Sequence, residues 1–265
     1  MTLTSKRAKQ VSILGLVMSL LFFVATFIIG LMSQAFAVTV LAWLILGSVL
    51  VWFVLAVQFH QRVLAEQEKL DIAQMAQSSE VGTIFQAGSD RAALFAEAQK
   101  RLEVLEKWFV PSFGLFIALF LLSMGALSLT KVKTALELSP KNPSLALFFV
   151  AFVSFLSFLI SRYATGMSAQ TIWKPLRAGG SMLVAVSGMA FLVSLALTAA
   201  FFHYPVGLRI MAWVIPILMV ILGCEILLNA LLDFYRPRIA GQYSRSCFDS
   251  RLLGLFNEPG GLFHT

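Results

Sequence analysis

Charge is what this chain of 265 residues has least of: Asp, Glu, Lys and Arg make up 12% of it, against about a quarter in an average soluble protein. Hydrophobic residues make up 59%, so a water-soluble fold would have to expose more contiguous apolar area than such folds carry, and that class is excluded. Cysteine is scarce as well. Cys224 falls in a hydrophobic run and Cys247 in a polar stretch, which argues against a disulfide framework and for a reduced compartment. The patterns H-E-x-x-H, P-loop and C-x-x-C are missing, so zinc proteolysis, nucleotide hydrolysis and dithiol exchange lack their minimal residues. His60, His203 and His264 are isolated from one another. No metal or cofactor is expected.

What the chain does have is long apolar runs. From Val11 to Gln61 no charged residue occurs over 51 positions, long enough at about 1.5 Å per residue for two crossings of a hydrocarbon core about 30 Å thick. The polar pair Ser33-Gln34 divides this run, so the first helix is expected at about 11–32 and the second at about 36–58. Lys6, Arg7 and Lys9 before the run, with Ala35-Phe36-Ala37 after it, also resemble a secretory signal and its cleavage site. The apolar run of 21 residues exceeds a signal core of about 7 to 15, which favours a membrane helix. Further helices are expected from Trp108 and Pro111 to about Thr130, from about Ser144 to Ser161, from about Ser181 to Phe202, and from Arg209 to Leu232. Pro216 should kink the last of these. The expected fold class is an all-α integral membrane protein of six transmembrane helices, arranged as three successive hairpins without a sequence repeat.

Four regions follow: a transmembrane hairpin over 1–60, a polar segment over 61–107, four further spans over 108–232, and a basic tail over 233–265. The polar segment holds eight acidic and six basic residues. Phe95, Leu102 and Leu105 within it, together with Ala98 and with Phe109 just beyond its end, recur at helical spacing as one apolar stripe. The stripe is expected to fold back on Val63, Leu70, Ala73 and Met75 across a bend near 78–88, or to meet a partner protein. With the N-terminus inside, Lys and Arg divide 16 to 4 between the two sides of a six-span chain. By the positive-inside rule both termini, the polar hairpin and the tail are then cytoplasmic.

Chemistry-bearing residues within spans are few. Glu225 precedes Asn229 by one helical turn and Asp233 by two, so the three share a face that could hold a cation or pass a proton. The structural alternative is an ion pair with Arg162 or Arg177. Small residues at Gly114, Ala118, Ala190, Ser194 and Thr198 read as close-packing positions. Ala185-Val186-Ser187-Gly188 approaches the G-x-S-G of rhomboid proteases, but His203 sits at the other end of the same helix and no base reaches Ser187. An enzyme is therefore not expected.

The tail differs in kind. Tyr235-Arg236-Pro237-Arg238 is followed by Phe248-Asp249-Ser250-Arg251-Leu252-Leu253-Gly254-Leu255-Phe256 and then Asn257-Glu258-Pro259-Gly260-Gly261. Arg236, Arg238, Arg245 and Arg251 beside a bilayer would attract anionic lipid by about 1 kcal/mol each, or contact a partner. These residues resemble the juncture at which multi-span membrane proteins of the SPFH superfamily, the prohibitin, stomatin and HflK relatives, lead into their SPFH domain. The resemblance covers about 233–265. It implies the membrane region of a longer or separately encoded SPFH-type protein in the bacterial inner (cytoplasmic) membrane. It also implies oligomers, of this chain or with an SPFH-type protein, that organise a membrane patch and modulate a membrane-anchored AAA protease. Nucleic acid is not an expected partner.

Overall fold

A computed structural model of the chain describes residues 3–78, 108–135, 141–168 and 174–235, with Lys100 and Val104 besides. The described chain is all-helical. Its six long helices are α1 (Leu3–Ser33), α2 (Phe36–Ser78), α3 (Val110–Ala135), α4 (Pro143–Ser168), α5 (Lys174–Phe201) and α6 (Val206–Tyr235). Each contains a window long and apolar enough to cross a membrane, as in a multi-pass membrane protein.

The helices outrun the hydrophobic stretches that announce them. α2 continues from the apolar window through Arg62, Glu66, Glu68 and Lys69 to Ser78, so the boundary at 61 falls inside a helix. Good helix formers such as Leu64, Ala65, Glu66 and Gln67 carry the backbone ladder on past the apolar run. α5 begins at Lys174 rather than near Ser181, with Pro175 in its first turn, where a missing N–H goes unnoticed. Gly179 and Gly180 therefore lie inside a helix, at packing positions. The stripe residues Phe95, Leu102 and Leu105 and most of the polar hairpin lie outside the described residues.

Two turns explain how tight the connections are. Gln34 adopts φ 54° between α1 and α2. His203 takes φ 68° after α5, where Tyr204 N–H donates to Ala199 O at 2.9 Å and His203 N–H to Ala200 O at 3.0 Å, the paired bonds of a left-handed helix stop. At the α1–α2 turn, Lys141 N–H donates to Ser33 O at 2.7 Å, tying the start of α4 to the end of α1.

Packing departs from three successive hairpins. α1 lies along α2 and α4 along α5, but α3 lies along α6 rather than along α4. Cross-contacts of α1 with α4, α2 with α5, and α2 with both α3 and α6 complete two rows, α1-α2-α3 and α4-α5-α6. α2 is the hub: 67% of its apolar window is buried, against 28% for α1. Edge-to-face ring contacts from Phe27 to Trp43 (5.5 Å) and from Trp43 to Phe120 (6.5 Å) knit the first row together.

The two rows are inverted copies of one three-helix unit. Buried positions Ala8, Ser12, Gly15, Ser19 and Thr26 of α1 match buried Ala146, Val150, Val153, Ser157 and Ala164 of α4 at one constant offset. The same offset takes Val38, Leu41, Ile45, Ser48, Trp52 and Leu55 of α2 onto Leu176, Gly179, Leu183, Val186, Ala190 and Val193 of α5, all buried. A second offset, shorter by the polar segment that only the first row carries, takes Gly114, Ala118, Leu121, Gly125 and Val132 of α3 onto Ala212, Pro216, Met219, Gly223 and Ala230 of α6. With spans that alternate in direction and three helices to a unit, corresponding helices run antiparallel, the pattern of an inverted repeat. The relation is inexact, because α2 packs on α6 while α5 makes no comparable contact with α3 among the described residues. Side-chain identity is largely lost, and for that reason no sequence repeat is visible.

The α3–α6 crossing displays this relation most directly. A methyl group on Gly125 would lie 2.8 Å from Val220 Cγ2 and 3.0 Å from Pro216 O. One on Gly223 would lie 2.9 Å from Leu122 Cγ and 3.1 Å from Ala118 O, the reciprocal contacts. Backbones approach this closely in lipid because helix association there depends on van der Waals contact rather than on hydrophobic burial. Gly223→Val should cost about 1 to 3 kcal/mol through overpacking. Gly188→Val, where no atom lies within 4 Å of the added carbon, should leave stability nearly unchanged in the same detergent unfolding assay.

Candidate functional site

α1 has its large residues outside and its small ones inside. Ile13, Leu14, Val17, Leu20, Leu21 and Val24 are exposed, while Ser12, Gly15, Ser19 and Thr26 are buried, which suits a helix that meets lipid on one side and other helices on the other. The sequence carries this stripe of Ser, Gly and Thr at spacings of three and four, the same signal of close packing as the small residues of α3 and α5.

Within the bundle, most span hydroxyls turn back on their own helix. Ser12 donates to Lys9 O at 2.8 Å, Ser33 to Ile29 O at 2.7 Å, Ser181 to Ala178 O at 2.9 Å and Ser194 to Phe191 O at 2.7 Å. Thr198 does the same toward Ser194 O at 2.9 Å, so Ser194 and Thr198 serve packing. Gly114, Ala118 and Ala190 are likewise buried against neighbouring helices.

Ser187 is used differently. Its hydroxyl donates to Ser154 O at 2.9 Å, and the Ser154 hydroxyl donates to Ser187 O at 2.9 Å, a reciprocal pair that clamps α4 to α5. The serine of the rhomboid-like tetrapeptide is thereby a buried structural donor, and His203 is exposed in the turn beyond the far end of its helix.

Five buried polar atoms have no hydrogen-bond partner among the described residues: the hydroxyls of Ser19, Thr26, Ser48 and Ser157, and the indole N–H of Trp52. Trp52 is fully buried mid-helix in α2, with its ring wedged between α1 and α5. A methyl on Gly15 would lie 2.5 Å from its Cδ2 and Cε3, and one on Gly179 would lie 3.0 Å from its Cε2 and Cζ2.

The ionisable candidates lie at the edge of this core. Glu225 and Asn229 are half-buried one turn apart on α6, which packs on α2, α3 and α5. Arg177 sits half-buried on α5, the helix packed against α6, whereas the Arg162 guanidinium on α4 lies over the Phe158 ring at 5.3 Å. Every buried polar side chain among the described residues is Ser, Thr, Gln or the indole of Trp52. No group of three or more His, Cys, Asp or Glu gathers among the described residues in a way that would hold a metal. Arg236, Arg238, Arg245 and Arg251 fall outside the described residues, and α6 remains helical through Asp233 to Tyr235 before them.

Compared with known proteins, the chain matches no family model, no curated protein and no solved structure.

Hydrogen bonds between membrane helices contribute roughly 0.6 kcal/mol on average. Ser154→Ala and Ser187→Ala should each lower unfolding stability by about that amount. Their double variant should lose about the sum, since each bond uses its own hydroxyl, and a double-mutant cycle reads this directly.

Proposed function

We propose that this protein is a non-enzymatic, oligomeric membrane scaffold with both termini in the cytoplasm. The observation that carries the reading is the interior, whose buried polar side chains among the described residues are all neutral, in a bundle closed by glycine-level contacts. Such an interior favours holding a shape over moving charge, because a buried ion would need a paired partner or a coordinating set of groups. Under this reading the scaffold organises a patch of bacterial inner membrane and positions an SPFH-type domain or partner at the cytoplasmic face. There it would modulate a membrane-anchored AAA protease. Arg236, Arg238, Arg245 and Arg251 contact anionic headgroups or a neighbouring subunit, and the stripe at Phe95, Leu102 and Leu105 docks within the chain or against that neighbour.

One observation favours a second reading. Inverted three-helix repeats are a recurring architecture of secondary transporters, whose sites lie near the bilayer midplane where the repeats meet. In that reading the chain is a small transporter or channel subunit and Glu225, beside Asn229, handles the coupling ion.

Replacing Arg236 and Arg238 with Glu should shift the protein to smaller particles on a native gel of solubilised membranes; unchanged particle size would contradict the scaffold. Glu225→Gln should leave ion flux into proteoliposomes at the level of empty vesicles, as in the unsubstituted protein. Flux that the unsubstituted protein supports and the variant loses would establish the transport reading instead.

A further inference from the structure

The internal repeat provides its own control for Trp52. At the corresponding place in the second unit the side chain is Ala190, and the two neighbours that press on Trp52, Gly15 and Gly179, correspond to Val153 and Leu41. One unit thus fills the space with Trp and two glycines, the other with Ala, Val and Leu. The backbone accepts a wholly apolar solution, so packing alone does not call for an indole. The same comparison holds one turn away, where buried Ser48 corresponds to buried Val186. The first unit has gained two polar groups where its twin has none.

Helix register places those groups at one level of the bundle. In a helix, side chains lean toward the N-terminus, so Trp52 leans over the turn that carries Ser48. α1 and α2 are antiparallel, and Gly15 touches Trp52; one turn onward on α1 is Ser19, one turn back on α2 is Ser48. Trp52, Ser48 and Ser19 each show 0% exposure, and none of their side-chain polar atoms has a partner among the described residues. A serine can turn to its own helix, as Ser12 and Ser33 do, but an indole N–H only donates and has no carbonyl of its own turn to reach. Buried donors in native interiors are satisfied by protein or by ordered water.

We propose that the indole N–H of Trp52 and the hydroxyls of Ser19 and Ser48 form an internal site that binds water between α1, α2 and α5; of the three, Ser19 alone has a polar counterpart in the second unit, Ser157. The ligand is neutral, because no charged group is buried among the described residues to offset an ion. It accepts from the indole and exchanges hydrogen bonds with two hydroxyls, the two to four polar partners an internal water needs. Gly15 and Gly179 bring the α1 and α5 backbones against the ring, where an added methyl would lie 2.5 Å and 3.0 Å from it. The inference stands whichever functional reading holds.

The test uses the full chain in lipid nanodiscs, with Trp43, Trp108, Trp173 and Trp213 replaced by Phe and the remaining Trp52 labelled with 15N at the indole. The expected result is a cross-peak between water and the Trp52 N–H, with emission shifted to the red of an unbonded indole. Adding Ser19→Ala and Ser48→Val, the latter being the residue of the twin position, should abolish the cross-peak and move the emission to the blue. Unchanged elution and helix content in that variant keep the comparison valid. Structured, unshifted emission with no cross-peak would overturn the proposal. So would red-shifted emission without a water cross-peak, which assigns the bond directly to a serine.

Discussion

The rest of the structure depends on the close approach of helix backbones where side chains are absent. Lipid gives two helices no hydrophobic reason to associate, so contact area and shape decide which pairs form. At the α3–α6 crossing, Gly125 and Gly223 let each backbone touch the carbonyl region of the other around Pro216 and Ala118. That contact joins helices from opposite ends of the chain's second part, with the α4–α5 hairpin nested between them in sequence. It also brings the first and second three-helix rows into register. Pro216 belongs to the same arrangement, since its carbonyl is one of the atoms that a side chain at Gly125 would strike.

A two-fold relation between inverted units explains several otherwise separate features. It accounts for α2 and α5 lying against each other, for the buried positions that the paired helices share, and for the reciprocal glycine contacts. It also isolates what is not shared. The polar segment between α2 and α3 is an insertion in the first unit relative to the second, where α5 turns into α6 through Phe202, His203, Tyr204 and Pro205. The Trp52 environment is the other asymmetry, with Trp, Gly and Gly in the first unit against Ala, Val and Leu in the second.

The class and the number of spans were legible in composition and run length, because a 30 Å apolar layer imposes helices of about 20 residues. Helix ends were less so. Hydropathy reports where lipid stops, not where the backbone ladder stops, so α2 was ended near 58 although it continues to Ser78. A glycine in a membrane helix marks close approach, and at Gly179 and Gly180 it is Trp52 and Thr165 that lie where a side chain would go. The pairing of α3 with α6 was hidden because neighbouring spans are the default expectation for short loops. The repeat was hidden because its halves conserve burial and spacing rather than residue types, with Gly125 and Gly223 among the few identities. Of the candidate site residues, Glu225 and Asn229 stood out by chemistry alone, while Trp52 looked like one more aromatic until its burial and its unpartnered N–H could be seen.

Cysteine cross-linking across the α3–α6 crossing tests the inverted-repeat arrangement most directly, in a chain with Cys224 and Cys247 replaced by Ser. Two reciprocal pairs are compared, Gly125→Cys with Val220→Cys and Leu122→Cys with Gly223→Cys. The account predicts that an oxidant closes both pairs within one chain. Cross-linking of neither pair, with α3 joined to α4 instead, would contradict it.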